Sequence, residues 1–423
     1  MLNNSVRKST VDDMFGRKRE AQITKSKVRE IFTPSKPIRV MDLLLGRDNH
    51  VARLVEILNT PGQHALLFGD RGVGKSSLAN IVHAVVETEG YFKEMNIFFK
   101  TCSSEDTFLS ILSAPLKSIG IDVSLIETSH AHTEKGSAGA SAYVFKAGVE
   151  SSRQNTEKKQ TSLKVSNVAD SLKKISGLLI IDEADAVSLS EEKRKIAELI
   201  KLLSDAGSPF KLMVVGIAET GSELIAGHAS VQRCLGQVKI ERLKDPELWQ
   251  IIALGQTKIS SPHRLEFDSE VINSIVEISN GYPYFTHLLA LKCAEEAIVS
   301  SRSSVRKEDL RLATEAAAEA AEGALLNTYN EAIRSASQSN RDKYKIILLA
   351  AAKMKNHEFT TKEWREAISK VSGQEITHSQ IKNYSKTLLS DGASTILRRK
   401  GRGVYCFNDP RFPSFIRIVH SDI

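Results

Sequence analysis

Apolar positions along the chain fall into two patterns. Apolar-rich runs at LLFG (66–69), NIFFKT (96–101), GLLIID (177–182), KLMVVGIA (211–218) and QVKIERL (237–243) predict β-strands, with the four consecutive aliphatics of GLLIID marking a buried one. Between these runs, apolar residues recur at helical spacing. That spacing predicts one helix up to Leu58 after Gly46-Arg47, one from the loop at 69–76 to about Glu87, and two more over 105–120 and 190–205. Strands and helices in alternation need crossover connections, so this part is an α/β fold with a parallel sheet and helices on both faces.

From Asp245 to about Ser335 the pattern turns wholly helical, clearest in LRLATEAAAEAAEGALL. The last block, from Arg341, reads as three helices, DKYKIILLAAAKM, TKEWREAISKV and HSQIKNYSKTLLSDG. Two short strands follow around Gly401-Arg402-Gly403, the succession of a winged helix. Two stretches lack periodicity. The chain up to Ser35 is polar and basic and ends in TPSKP, whose prolines favour an extended, flexible arm. Residues 127–167 are rich in Ser, Thr, Gly, Ala and Lys and predict a mobile insertion. The resulting division is an arm over 1–38, an α/β core over 39–244, a helical lid over 245–338 and a winged helix over 339–423.

A chain of 423 residues with 41% hydrophobic content has enough apolar side chains for two or three domains. No run of eighteen apolar residues occurs and no apolar segment follows the charged start, so neither a membrane span nor a signal peptide is expected, and the expected location is the cytoplasm. Cys102, Cys234, Cys293 and Cys406 lie far apart, with no CxxC pair and no zinc spacing, and read as isolated thiols. Net charge is +7, and its distribution is uneven: residues 1–40 hold ten basic against four acidic residues. A second basic cluster, Arg398, Arg399, Lys400 and Arg402, lies near the C-terminus. Basic ends around a near-neutral middle suit a polyanion, although a solvated surface accounts for such clusters as well.

The stretch GDRGVGKS places Gly69, Gly74, Lys75 and Ser76 in the pattern G-x-x-x-x-G-K-[ST], between a strand and a helix start. Glycines allow backbone N–H groups to close around phosphate oxygens, a lysine neutralises the β and γ charges, and a hydroxyl can ligate Mg²⁺. The candidate nucleotide contacts are Gly69, Asp70, Arg71, Gly72, Val73, Gly74, Lys75, Ser76 and Ser77. The strand LLIID ends in the carboxylates that such a site needs. Asp182 is expected to hold Mg²⁺ through water, with Ser76 as a further ligand, and Glu183 to polarise the attacking water. The expected cofactors are therefore ATP and Mg²⁺.

Loop, DEAD strand end, helical lid and terminal helices with hairpin together resemble the AAA+ P-loop ATPases. The likeness is strongest to the branch that holds the origin-recognition initiators of replication and the archaeal and STAND-like ATPases. LLLGRD (43–48) resembles the hydrophobic-Gly-Arg motif of that branch, which implies that Gly46 and Arg47 contact the adenine side of the nucleotide. CSSEDTFLSIL resembles the segment after the second strand. ASVQRCLG puts Arg233 where such proteins present an arginine finger to a neighbouring subunit's γ-phosphate, so the resemblance implies self-association. Two positions depart from the initiators: Glu219-Thr220 stand where a polar sensor is usual, and Tyr284-Phe285 stand where the lid arginine called sensor 2 is usual. The lid motif GYPY is closer to the STAND and archaeal branch. His287 on the same helix reads first as a packed histidine.

The third helix of the last block carries Lys382, Asn383 and Lys386, with Gln380 and Ser385, between apolar positions. Such side chains suit a DNA groove, and the basic hairpin would be a wing against phosphates. The leading expectation is an ATPase that hydrolyses ATP slowly at subunit interfaces through Lys75, Glu183 and Arg233 and couples its state to assembly on double-stranded DNA. The alternative is a STAND-like nucleotide switch in defence or signalling, with a protein partner and little turnover. A remodeller that threads protein would need a pore loop, for which AYVF (142–145) is a weak candidate.

Overall fold

Strands buried on both faces need side chains that tolerate no water on either side, which is why the central strands are continuous aliphatic runs. The computed structural model describes residues 22–38, 44–88, 96–121, 164–217, 229–259, 264–320, 323–334, 338–354, 356–389 and 395–420. Among these, the elements of the first part are α1 (residues 22–31), α2 (Asp48–Asn59), β1 (His64–Gly69), α3 (Lys75–Thr88), β2 (Asn96–Thr101), α4 (Phe108–Ile111), α5 (Ser113–Ser118) and α6 (Val165–Leu172). They continue with β3 (Gly177–Asp182), α7 (Ser190–Asp205), β4 (Phe210–Gly216) and β5 (Leu235–Ile240).

The chain forms two compact units, one of residues 39–69 and 75–240, the other of 1–38, 70–74 and 241–423. The first unit is an α/β P-loop fold: five parallel strands in the order β2-β3-β4-β1-β5. All residues of β3 and of β4 are buried. Leu66, Leu179, Ile181 and Val214 form one core with Ile196, Leu199, Ile200 and Leu203 of α7. Because the chain leaves β1 for one edge of the sheet and finishes on its other side with β5, strand order reverses at β1. A crevice at the carboxyl ends of the strands at such a point is where open α/β sheets bind ligands.

In the second unit the lid comprises α8 (Asp245–Lys258), β6 (Glu266–Phe267), α9 (Ser269–Ser279), α10 (Pro283–Val299), β7 (Ser304–Val305), α11 (Lys307–Ala320) and α12 (Gly323–Arg334). The C-terminal block comprises α13 (Arg341–Ala352), β8 (Glu358–Thr360), α14 (Thr361–Ser372), α15 (His378–Leu388), β9 (Leu397–Gly401), β10 (Val404–Phe407) and α16 (Phe412–Val419). Strands β8, β10 and β9 form an antiparallel sheet. Helix α16 anchors this block to the lid: Ser414 donates to the Ser279 carbonyl at 3.0 Å, and Arg417 donates to the carbonyls of Glu277 and Ala352 at 2.6 and 2.9 Å. The Tyr329 hydroxyl meets His420 Nε2 at 2.6 Å.

Several expectations are corrected. The arm over 1–38 is not uniformly flexible, since α1 buries Val28, and Phe32 after it is also fully buried. Phe32 packs edge-on against Phe267 and His287, and Arg29 pairs with Glu295 at 2.6 Å. The helix expected over 105–120 starts later, at Phe108, where the Thr107 hydroxyl caps the Ser110 N–H, and is split at Leu112 into α4 and α5. The lid is not wholly helical, for β6 and β7 pair in parallel. Residues 165–167, counted with the insertion, already belong to α6, and the insertion's remainder up to 163 lies outside the described residues. Phe32→Ala is expected to destabilise the full chain by about 3–5 kcal/mol, the usual cost of an emptied aromatic site. Chemical denaturation of the full chain checks this, and an unchanged midpoint would contradict the packed arm.

Candidate functional site

The loop begins at the carboxyl edge of the sheet. A Cβ on Gly69 would lie 2.4 Å from the Ile240 carbonyl oxygen, so only glycine lets β1 and β5 pair to their ends. Gly72 and Gly74 take φ of +81° and +97°, a region that favours glycine, and a Cβ on Gly74 would meet open space. Left-handed residues in a loop that leads into a helix turn successive N–H groups to one side, the shape that cradles an anion. Lys75 opens α3, and its Nζ donates to the Gly69 carbonyl at 3.0 Å.

Asp182 ends β3 and is 4% exposed. The Ser76 hydroxyl and the Glu183 N–H both hydrogen-bond its carboxylate, the latter at 2.9 Å, and the Lys75 charge favours its ionised form. Burial is nevertheless the largest effect and raises the Asp182 pKa above the ordinary carboxylate value. Glu183 follows with φ 54° and ψ 39°, a left-handed backbone for a residue with a side chain. Such a conformation costs about 1–3 kcal/mol and persists where the surroundings enforce it. Here it makes the turn from β3 into residues 184–186, closed by the Ala186 N–H on the Glu183 carbonyl at 2.8 Å.

These residues fit a nucleoside triphosphate with magnesium. Gly74 leaves open space for phosphate oxygens, Lys75 lies along the loop, and a hydroxyl and a buried carboxylate in mutual contact are oxygen ligands of the kind Mg²⁺ takes. Gly46 has φ +70°, and Arg47 is buried, its carbonyl accepting the N–H groups of His50 and Val51 that start α2. No group of three His, Cys, Asp or Glu side chains placed for a metal occurs among the described residues. Burial pushes the Cys102 thiol, next to Asp182 in the backbone ladder, up to about 12, which makes it a poor nucleophile.

Loop residues 70–74 cluster with the second unit. There the Tyr282 hydroxyl donates to Asp70 Oδ2 at 3.2 Å, and Arg242 Nε lies 3.7 Å from the same oxygen. A Cβ on Gly72 would come within 3.4 Å of Arg411 Cδ, 3.7 Å of Tyr282 Cδ1 and 3.8 Å of Tyr284 Cβ. Arg411 is 5% exposed and paired with Asp409 at 2.7 Å. Tyr282, Arg242 and Arg411 were not candidates from sequence. The GYPY motif marks Tyr282, but Arg242 and Arg411 carry no local signal.

Other expected residues fall elsewhere. Arg233 precedes β5 at the amino ends of the strands, where Gln63 donates to its carbonyl at 2.8 Å and its guanidinium pairs with Asp205 at 3.0 Å. One strand length, about 20 Å, separates that edge from the carboxyl edge that carries Gly69 and Asp182. Phe285 is core, T-shaped on Tyr284, and His287 is buried with Nδ1 accepting the Thr33 N–H at 3.3 Å. Burial lowers the His287 pKa to about 4. Lys382, Asn383 and Lys386 are exposed on α15, as are Arg398, Arg399, Lys400 and Arg402 on the hairpin, whereas Ser385 is buried with its hydroxyl on the Lys382 carbonyl. Glu219, Thr220 and AYVF (142–145) lie outside the described residues. Among the described residues no helix is long and apolar enough to cross a membrane.

The five-strand order with a glycine loop after β1 and a carboxylate at the end of β3 defines a P-loop NTPase fold. The family model described as Novel STAND NTPase 1 (nSTAND1) matches residues 39–390, and the chain belongs to that family. Among solved structures it is similar to a Walker-type ATPase of Pyrococcus abyssi, at 16% identity and a TM-score of 0.48 over 92% of this chain and 99% of that one. It is also similar to the Orc1 protein of Aeropyrum pernix in complex with DNA, at 16% identity and 0.48 over 93% and 98%. The Cdc6p of Pyrobaculum aerophilum is similar at 14% identity and 0.47 over 93% and 97%. No curated protein matches.

A raised carboxylate pKa means that ionised Asp182 opposes folding. The penalty is absent below the ordinary value of 3.8 and grows as pH rises through the folded-state value. Asp182→Asn is therefore expected to melt a few degrees higher than wild type at neutral pH without ligand, with the gap closing as pH falls through the carboxylate range. Thermal scans at stepped pH check this, and a lower melting point at neutral pH would contradict it.

Proposed function

We propose that the chain binds ATP with magnesium at the 69–77 loop, hydrolyses it, and uses the bound state to control assembly on double-stranded DNA. The observation that carries this reading is the hydrogen bond of Ser76 to the buried Asp182 carboxylate, within the field of the Lys75 charge, at the carboxyl edge of the sheet. Loop N–H groups and Lys75 hold the phosphates, Ser76 and Asp182 hold the metal, and Gly46 and Arg47 face the base. Magnesium, when bound, neutralises charge on the phosphate oxygens. Glu183 accepts the proton of the attacking water.

Arg233 cannot reach the carboxyl edge of its own sheet, so its role at a γ-phosphate belongs to the next copy in an assembly. Its exposed guanidinium, 69% accessible, and the solvent exposure of its pair with Asp205 suit such exchange. DNA meets α15 through Lys382, Asn383 and Lys386, and the hairpin through Arg398, Arg399, Lys400 and Arg402. On that hairpin, Lys400 is 3.9 Å from Glu358, Arg398 Nε donates to Cys406 Sγ and Arg399 Nε to the Gly401 carbonyl. The protein works in the cytoplasm.

Family membership favours a second reading, a nucleotide-locked switch with a protein partner and little turnover. The two readings part in steady-state ATP hydrolysis measured against protein concentration, with and without duplex DNA. Specific activity is expected to rise with concentration and DNA, and Arg233→Ala to lower it roughly 10³-fold or more while ATP still binds. DNA affinity is expected to fall steeply with salt, because each neutralised phosphate releases a counterion. Tight nucleotide binding with negligible turnover that DNA leaves unchanged would establish the switch instead.

A further inference from the structure

An aspartate in the second position of a phosphate loop is an awkward choice, since its charge opposes the ligand's own. In this chain Asp70 does not face that problem alone. Its Oδ2 accepts the Tyr282 hydroxyl at 3.2 Å and lies 3.7 Å from Arg242 Nε. The Arg242 guanidinium in turn stacks over the Tyr282 ring, 4.6 Å from its centroid. Tyr282 is fully buried, and burial raises its pKa, so the hydroxyl keeps its proton and remains a donor. The backbone is shaped to bring these groups together. Gly281 takes φ +85°, a Cβ there would lie 2.6 Å from Arg242 Cβ, and the Leu243 N–H donates to the Gly281 carbonyl at 2.9 Å. A loop that leads straight out of β5 is thus pressed against the start of α10, and both close on Asp70.

We propose that Asp70, Tyr282 and Arg242 form a latch that fastens the lid to the phosphate loop, in place of a lid arginine that touches the nucleotide. Tyr282 and Arg242 are positioning residues: they act on phosphate through Asp70. The carboxylate provides the grip on the lid, and Arg242 cancels its repulsion of the phosphates. Nucleotide affinity and lid position are then coupled through one charge pair. This proposal rests on the loop being a nucleotide site.

The test is equilibrium and stopped-flow binding of ATP and of ADP to the full chain, for wild type, Lys75→Ala, Asp70→Asn, Tyr282→Phe, Arg242→Gln and the double variant Asp70→Asn with Arg242→Gln. An uncompensated charge in the phosphate loop is expected to raise the ATP Kd of Arg242→Gln roughly tenfold, and the ADP Kd less because ADP carries less charge. Removing the carboxylate as well is expected to restore the ATP Kd to within about threefold of wild type, the non-additivity of a coupled pair. Tyr282→Phe is expected to release nucleotide faster. Melting points without nucleotide show which variants are folded. If Arg242→Gln does not fold, Asp70→Asn, which removes the carboxylate charge, and Tyr282→Phe, which removes the hydroxyl, decide. Wild-type affinity and release rate in the folded latch variants, with binding lost in Lys75→Ala, would overturn the latch alone. A wild-type chain that binds neither nucleotide would overturn the nucleotide-site reading and the latch with it.

Discussion

A carboxylate buried at the end of a central strand is the constraint on which the first unit turns. Asp182 is 4% exposed, and a charge in that place is tolerated only where other groups meet it. The Ser76 hydroxyl, the Glu183 N–H and the Lys75 charge do so. That requirement reaches back into the fold. The start of α3 must lie beside β3 although β4 separates β3 from β1, and β1 must end at Gly69, where no side chain fits against Ile240. The partners offset the cost of burial only in part, so the unliganded chain keeps a group whose charge favours a cation. A site that is destabilising when empty is a common mark of binding and catalysis.

The second unit answers a different need, which is to keep the lid, the C-terminal block and residues 70–74 in one contact network. Helix α16 does much of this. Its arginine and serine side chains donate to carbonyls at the ends of α9 and α13. Arg411, just before α16, lays its side chain against Gly72. Residues more than three hundred positions apart in sequence are therefore neighbours at the loop, and the block with the basic hairpin is tied to the same helices. Within this unit, a change at residues 70–74 has a short physical path to the hairpin.

Much of this was legible in the sequence because the physics is local. The aliphatic runs of β3 and β4 mark strands covered on both faces, which admit little else, and the glycine spacing of the loop needs no partner to be recognised. What was missed depends on contacts across long separations. The arm's polar composition hides α1 and Phe32, whose burial rests on Phe267 and His287 of the lid. The three-residue strand β8 is too short to carry a period and exists because β10 pairs with it. Ser385 has a polar side chain at a buried position because its hydroxyl bonds within its own helix. Arg242 and Arg411 look like ordinary surface arginines until folding brings Tyr282 and Gly72 beside them.

The central claim is that the loop and Asp182 together form a magnesium-dependent nucleotide site. Calorimetric titration of ATP into the purified full chain, once with Mg²⁺ and once with a chelator, tests it most directly. Saturable one-to-one binding that weakens sharply when the metal is withheld is the predicted result. No binding in either condition would contradict the account.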